Sequence, residues 1–217
     1  MKKLTDSGSA ESTLSRESRS RARPCNDGLS NRMNSTVNAG LSSPLRNLVC
    51  LLCRPYHSLI HKVVELPAAS LFALVSTPEE SVALMILLDR ISRNIMRGPD
   101  SPFVFTKCDP TAQHVAHHCL RLGHDKGHPP HKRIWYYLAL SHSESPLDQE
   151  LALAEFARLV VEVRSGEWKA SISTYKNALV DMIKLFTTIE KFGRFPDRNA
   201  ILNRESTEEE KTFLAAS

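Results

Sequence analysis

Residues Ser76–Gly98 read STPEESVALMILLDRISRNIMRG, and this stretch decides the fold class. Thr77 stands three positions before Glu80, which is the spacing of a capping box at the start of a helix. Gly98 follows the last apolar residue and predicts the end of that helix. From Val82 to Leu88 the stretch is almost continuously apolar, so we predict a buried helix rather than a surface one.

The same start and stop signals recur through the rest of the chain, and no segment shows the alternation of a strand. We therefore predict an all-α domain of about seven or eight helices, packed as antiparallel hairpins because most connections are short. The two longer connections are Gly98–Cys108 and Gly193–Glu205. Further helices are predicted from Pro55 through Leu71, from Asp109 to Gly123, after Pro129, from Ser145 to near Gly166, from Trp168 to Phe192, and over Thr207–Ala215 behind a capping box of Ser206 and Glu209.

Residues 1–45 differ in composition from the remainder of the 217-residue chain. They are rich in Ser and Arg and almost without branched apolar or aromatic residues, so they cannot bury enough surface to offset the entropy lost on ordering. We predict a disordered tail over 1–45 and a helical domain over 46–217. The run Ser15–Arg23 suits a solvated tail, with a phosphorylation or nuclear-import patch as the alternative.

The charge, hydropathy and cysteines of the chain argue against some classes of function and favour one cellular compartment. The net charge is +4 and much of it lies in the tail, which argues against a nucleic-acid partner. No apolar run is long enough for a membrane span. The chain has five cysteines, and this odd number favours free thiols in a reducing compartment. We predict the cytoplasm, with a nuclear or mitochondrial location left open.

No metal and no cofactor is predicted. Cys50, Cys53, His57 and His61 resemble a zinc quartet, but on one helix they would point the same way and could not surround a tetrahedral ion. The sequence also has no glycine-rich phosphate loop and no nucleophile elbow.

Two polar segments interrupt the apolar pattern. On the second half of the buried helix, Asp89, Arg93 and Arg97 are spaced four apart and share one face, beside Asn94. The stripe indicates either a polar pocket or a solvated helix end. Between two later helices lie His142, Ser143 and Glu144, followed by Asp148 and Gln149 in the next first turn. A His two residues from a carboxylate could transfer protons, and the same groups could equally be helix caps.

A third polar segment, KFGRFPDRNAILNREST, spans Lys191–Thr207. Arg194, Arg198 and Arg204 offer planar donors suited to carboxylates or phosphates. The alternative is a structural loop whose arginines bind helix C-terminal carbonyls. We expect its two phenylalanines to fix the loop across the open end of the helical stack.

Three motifs together resemble domain-of-unknown-function family 924: LMILLDRISRNIMRG, LALSHSESPLDQE and KFGRFPDRNAILNRESTEEEKTFL. The resemblance covers roughly 78–214 and implies a stack of helices like that of tetratricopeptide repeats (TPR-like). It implies no established reaction. The positions it indicates are Asp89, Arg93, Asn94, His142, Ser143, Glu144, Gln149, Gly193, Arg194, Phe195, Pro196, Arg198 and Asn199.

The chain departs from the family pattern at four positions. Arg90 stands where the family usually has Gln, and Ser92 where it has Pro. Asp197 stands where the family typically has His, and Asn203 where it has Gly. Chemistry that required a His at position 197 would be lost in this chain.

Three functions follow as hypotheses, and the sequence leaves open whether the chain is an enzyme, what it binds and its oligomeric state. The first is a module with an Arg-lined pocket that binds a small anionic molecule or an acidic peptide. The second is a hydrolase or proton-transfer enzyme using His142 and Glu144, and the third is a degenerate structural scaffold. For the first two, the predicted ligand-binding residues are Asp89, Arg93, Asn94, Arg97, Gln149, Arg194, Arg198 and Asn199.

Both pocket hypotheses require the polar segments to converge. A buried charge is costly unless it is paired. We therefore expect an arginine from 193–199 or from 90–97 beside Glu144 or His142.

Overall fold

The computed structural model describes residues 55–216, and these form eight helices joined without a strand. The predicted all-α class is confirmed within this part of the chain. The calls made for the tail at 1–45 lie outside it. In chain order the helices are α1 (55–64), α2 (Ala68–Ala73), α3 (Pro78–Met85, Ile86–Ile91 and Ser92–Ile95), α4 (Ser101–Phe103, Val104–Cys108 and Asp109–Arg121), α5 (Pro130–Ser141), α6 (Pro146–Ser165), α7 (Ile172–Phe192) and α8 (Glu208–Ala216).

The predicted capping box at the start of α3 is present. The backbone N–H of Thr77 donates to Glu80 Oε2 at 2.9 Å, and the N–H of Glu80 donates to Thr77 Oγ1 at 3.3 Å. At the end of α7 the predicted stop is Gly193, whose φ of 67° lies in the left-handed region that favours glycine. Local sequence signals therefore set these helix ends.

The predicted helix from Pro55 through Leu71 is wrong, because it breaks into α1 and α2. Pro67 caps α2 with an extended ψ of 153°. A residue that precedes proline is disfavoured in the helical region, so Leu66 cannot continue α1.

The predicted loop over Gly98–Cys108 is also wrong. After a short 3₁₀ turn, α4 already begins at Ser101, and Pro102 occupies its first turn where no N–H is needed. Val104–Cys108 is a π-helical segment, and Pro110 follows it inside the helix. A proline clashes with the carbonyl four residues earlier, and here that carbonyl belongs to the wider π turn.

Smaller errors concern α7 and α8. A 3₁₀ turn at Lys169–Ser171 precedes α7, which begins at Ile172 rather than Trp168. The last capping box is shifted by one residue, since Thr207 N–H donates to Glu210 Oε2 at 2.7 Å and Glu210 N–H donates to Thr207 Oγ1 at 3.2 Å.

Consecutive helices pack against one another, most extensively α5 on α6 and α6 on α7. The core between them is closed by large side chains with almost no exposed surface, among them Tyr136, Tyr137, Phe156 and Leu159. Cys108 and Cys119 are buried in the same core as free thiols. Among the eight helices over 55–216, none combines the length and apolar character needed to cross a membrane.

Candidate functional site

The candidate site is built around a hydrogen bond between α3 and the end of α5. Asp89 Oδ1 lies 2.7 Å from His142 Nδ1. Asp89 is 3% exposed and sits in the π-helical segment Ile86–Ile91, whereas the His142 side chain keeps 21% of its surface. Burial alone would raise the pKa of Asp89, but the bond and charge of His142, together with Arg93, outweigh burial and lower it to about 2. The carboxylate is therefore ionised and accepts the proton of Nδ1.

Arg93 joins this pair to α4. Its Nε donates to Asp89 Oδ1 at 3.1 Å, and its Nη2 donates to Asp109 Oδ1 at 2.6 Å. Asp109 is 3% exposed, so one guanidinium binds two buried carboxylates. At Arg93 the stripe on α3 is thus an ion-paired contact between helices and not a solvated helix end.

Arg198 reaches the same cluster from the loop after α7. It is buried, and its guanidinium carbon lies 4.7 Å from the centre of the Phe105 ring and 4.4 Å from that of Phe195. Nη2 donates to the backbone oxygen of His142 at 3.0 Å, and Nη1 lies 3.5 Å from Asp109 Oδ2. Burial is the main cause that lowers the pKa of Arg198.

Glu144 holds the loop from the other side. Arg204 binds both of its carboxylate oxygens, at 2.7 and 3.0 Å, and the backbone N–H of Phe195 donates to Oε1 at 2.8 Å. Burial would raise the pKa of Glu144, but the hydrogen bond from Arg204 and that from Phe195 lower it. The arginine predicted from 193–199 lies beside His142, where Arg198 donates to the backbone oxygen, whereas the arginine that binds Glu144 is Arg204, from outside both predicted ranges.

Arg194 binds Glu210 of α8. Its Nε and Nη2 donate to Glu210 Oε1 and Oε2 at 2.7 and 2.8 Å. Asn199, fully buried, donates to the same carboxylate at 3.2 Å. Two predicted ligand-binding residues are therefore occupied in attaching the loop to the last helix.

The remaining predicted residues lie at the edges of the site. Gln149 is buried, and its Nε2 donates to the backbone oxygens of Ser141 and Ser143, both at 2.6 Å, so that it fixes the connection between α5 and α6. Asn94 and Arg97 are exposed on α3, where Arg97 Nη2 donates to Asn94 Oδ1 at 3.0 Å.

The ion pairs in the cluster balance. Asp89 and Asp109 carry two negative charges, and Arg93 and Arg198 carry two positive ones. The cluster is therefore neutral when the imidazole is neutral, and an anion would compete with carboxylates of the chain for Arg93 and Arg198. The imidazole of His142 is held at Nδ1 by Asp89 while its side chain keeps 21% of its surface exposed.

Sequence reasoning missed Asp109, Phe105 and Glu210 as members of these networks. Asp109 directly precedes Pro110, and this pair predicts only a helix start. Glu210 is the last of three adjacent glutamates in the first turn of α8. Arg93 and Arg194, which bind Asp109 and Glu210, each lie 16 residues from their partner, so no local spacing could have identified these pairs.

Two departures from the family pattern have a structural interpretation. Asn203 has φ of 53°, which is the left-handed region where glycine is typical and asparagine is the best-tolerated substitute. Ser92 is buried, and its hydroxyl donates to the backbone oxygens of Leu88 and Asp89, which closes the π-helical turn that carries Asp89. Asp197 and Arg90 are exposed.

Comparison with known families identifies the chain. Residues 53–217 match the family described as "Bacterial protein of unknown function (DUF924)". The chain belongs to this family. The DUF924 match spans all three motifs and so confirms the resemblance inferred from them. The TPR-like arrangement of the helices stays a prediction.

The DUF924 fold is also similar to a solved structure, that of a protein of unknown function, ATU0120, from Agrobacterium tumefaciens. The two chains are 29% identical, the TM-score is 0.58, and the match covers 76% of this chain and 79% of the other. No curated protein matches this DUF924 chain.

Over 55–216, no three His, Cys, Asp or Glu side chains lie close enough to hold a metal ion. Cys50 and Cys53 of the apparent zinc quartet lie outside the described residues. His57 and His61 lie side by side on α1, with ring centres 4.7 Å apart.

The attachment of the loop to α8 predicts a dependence of stability on pH. The hydrogen bonds from Arg194 and from the N–H of Thr207 lower the pKa of Glu210 from 4.5 to about 2. Ionised Glu210 therefore contributes stability that is complete above about pH 4.5 and disappears as the pH falls through 2. We expect Glu210→Gln to lower the thermal midpoint at pH 7, and the difference from wild type to shrink between pH 4.5 and 2.

Thermal unfolding followed by circular dichroism at a series of pH values checks this expectation. Glu190→Gln, at an exposed position on α7, is the matched control and should leave the midpoint unchanged. A Glu210→Gln deficit that stays constant from pH 7 down to pH 2.5 would show that the charge of Glu210 is not its source.

Proposed function

We propose that the chain is an enzyme that transfers protons on a small anionic substrate, with His142 as the general acid–base and Asp89 as the residue that positions it. One observation carries this proposal. A buried, ionised carboxylate binds His142 Nδ1 at 2.7 Å, and the imidazole remains partly exposed. A His held by a carboxylate in this way is the arrangement that acid–base catalysis uses.

The hydrogen bond defines the tautomer. Since Asp89 accepts the hydrogen bond, Nδ1 of His142 carries the proton. In the neutral imidazole Nε2 is then the nitrogen that can accept a proton. Nε2 would take a proton from an attacking water or from an acidic C–H of the substrate, and would return it to the leaving group or product. The imidazolium formed in between is stabilised by Asp89.

Other candidate groups support this assignment by being engaged elsewhere. Both oxygens of Glu144 are bound by Arg204, so Asp89 and not Glu144 is the partner of His142. Burial and the charge of Asp109 raise the pKa of the Cys108 thiol to about 12, which makes it a poor nucleophile. Acid–base chemistry by His142 therefore fits the site better than covalent catalysis by this thiol.

An anionic substrate fits the guanidinium of Arg97, which binds neutral oxygens, whereas Arg93 already binds two carboxylates of the chain. Arg93 contacts Asp89 directly, and the exposed guanidinium of Arg97 lies one helical turn further along α3. Guanidinium groups next to a proton-transfer site would stabilise negative charge that develops on a substrate. Binding of the anion is part of this proposal, which includes the binding-module hypothesis as its first step.

The test is a screen for turnover with a paired variant. Small carboxylic acids and phosphate esters are incubated with the protein in D₂O, and ¹H NMR follows both hydrolysis and exchange of C–H for deuterium. We expect at least one compound to react, and His142→Gln to lower its turnover by more than about tenfold, because positioned proton transfer usually contributes at least 10²-fold.

A second His–carboxylate pair supplies the control. His117 Nε2 lies 2.7 Å from Asp148 Oδ1, the same separation as in the candidate site, but this imidazole is 44% exposed. His117→Gln should leave turnover unchanged. Turnover that survives in His142→Gln, or that is lost equally in His117→Gln, would refute a general acid–base role for His142.

A further inference from the structure

A small cavity opens beside Arg93, between the end of α3 and the start of α4. Its volume is about 130 Å³, and no predicted site residue other than Arg93 and Arg97 lines it. The lining consists of Arg93, Met96 and Arg97 from the end of α3, and Ser101, Val104 and Phe105 from the start of α4.

The lining has two chemical parts. Met96, Val104 and the ring of Phe105 form an apolar wall, and the guanidinium of Arg97 and the hydroxyl of Ser101 supply donors. Arg97 is held in place by two bonds to neutral oxygens, from Nε to the backbone oxygen of Arg93 at 3.2 Å and from Nη2 to Asn94 Oδ1 at 3.0 Å. A planar guanidinium so oriented matches the geometry of a carboxylate.

Size limits the ligand. Cavities that bind drug-sized molecules usually enclose about 300–1,000 Å³, so this one accepts only a few heavy atoms. A carboxylate with a short hydrocarbon chain satisfies the donors and the apolar wall together. A larger anion such as a nucleotide does not fit.

Arg93 connects the cavity to the proton-transfer pair. It lines the cavity, and its Nε binds the same Asp89 oxygen that accepts from His142. A molecule whose carboxylate is bound at Arg97 therefore lies one side chain away from the Asp89–His142 pair.

We propose that this cavity is the substrate subsite, and that the substrate is a short aliphatic monocarboxylate whose charged end is bound by Arg97 and Ser101. This inference rests on the proposed function and adds the substrate class to it.

Direct binding of butanoate to the wild-type protein tests the subsite, because butanoate needs no turnover to bind. Titration followed by isothermal calorimetry or ¹⁵N-edited NMR should show saturable binding. Acetate lacks two methylenes and should bind about 15-fold more weakly, since each buried methylene contributes about fourfold. Butanamide, which has nearly the same shape without the charge, should bind at least tenfold more weakly than butanoate.

Arg97→Met should weaken butanoate binding at least tenfold, and Arg90→Met, at another exposed arginine of the same helix, should leave it unchanged. Arg97→Lys should restore only part of the affinity, because an ammonium cannot bind both oxygens in one plane. An absence of saturable binding to wild type, or equal binding by Arg97→Met and wild type, would overturn the subsite.

The outcomes separate the subsite from the proposed function. If butanoate binds through Arg97 while no carboxylate turns over, the subsite stands and proton-transfer catalysis falls. For a reacting carboxylate, Arg97→Met should raise KM more than it lowers kcat, since the anchor binds ground state and transition state alike. If turnover requires His142 while Arg97→Met leaves KM unchanged, the enzyme stands and the subsite falls.

Discussion

Replacing Arg93 by methionine is expected to lower the free energy of unfolding by about 3–5 kcal/mol, the usual cost of removing one member of a buried ion pair. Methionine retains much of the apolar length of the side chain, so the loss is mainly one of charge and hydrogen bonds. Asp89 and Asp109 would then stay buried without the guanidinium that binds them at 3.1 and 2.6 Å. Urea unfolding at pH 7 measures the difference.

Arg90→Met is the control for this expectation. Arg90 lies on the same helix but is exposed, and substitutions at such positions usually stay within about 0.5 kcal/mol of wild type. The double variant Arg93→Met with Asp109→Asn gives a second check, because it removes one of the two uncompensated charges. It should be more stable than the sum of the two single changes predicts. If Arg93→Met is no less stable than Arg90→Met, the ion pairs of Arg93 do not hold α3 to α4.

Replacing Asp89 by asparagine is expected to lower the turnover of any substrate found by about 10²–10⁴-fold. The amide has the size of the carboxylate, but its NH₂ group donates where the carboxylate accepted. His142 would then present an acceptor at Nδ1 and carry its proton on Nε2, which is the wrong tautomer for a base. Asp89→Asn in the background of His142→Gln should have little further effect, because residues that act as one unit are not additive.

The tautomer supplies a readout that a purely structural role would not move. Long-range ¹H–¹⁵N correlation spectra of wild type should show the Nδ1-protonated form of neutral His142, and those of Asp89→Asn a shift toward the Nε2-protonated form. Asp148→Asn changes the other His–carboxylate pair and should leave the His142 signals unchanged. An unchanged tautomer in Asp89→Asn would mean that Asp89 does not position His142.

Helix ends could be predicted from the sequence because the groups that set them are neighbours in the chain. The Thr77–Glu80 box and the stop at Gly193 each depend on a few adjacent residues. The same signals led to an error where two adjacent capping boxes were possible. Ser206 and Thr207 both have a Glu three residues later, and Thr207 is chosen because Glu210 also binds Arg194 and Asn199.

Ion-pair partners could not be predicted, because they depend on how helices pack. The sequence predicts an arginine from 193–199 or from 90–97 beside Glu144 or His142. Arg198 lies at His142 as predicted, and Arg204 binds Glu144 from outside both ranges. Which arginine meets which carboxylate depends on contacts across 50 to 60 residues, such as the 60 between Glu144 and Arg204. Spacing in the chain says nothing about such distances, so the balance of charge in the cluster emerges only from the packed structure.

The π-helical segments bear on how this site tolerates insertions and deletions. Ile86–Ile91 contains Asp89, and Val104–Cys108 ends directly before Asp109. A π turn holds more residues than an α turn, so the loss of one residue there would restore regular α-helical spacing. Each residue turns an α-helix by about 100°, so a single deletion before Asp89 would rotate its carboxylate away from His142 while the helix itself persisted. In the lineage of this chain, insertions or deletions within these two turns would thus be selected against more strongly than many substitutions. The length of the two turns therefore distinguishes descendants that keep the site from those that keep only the fold.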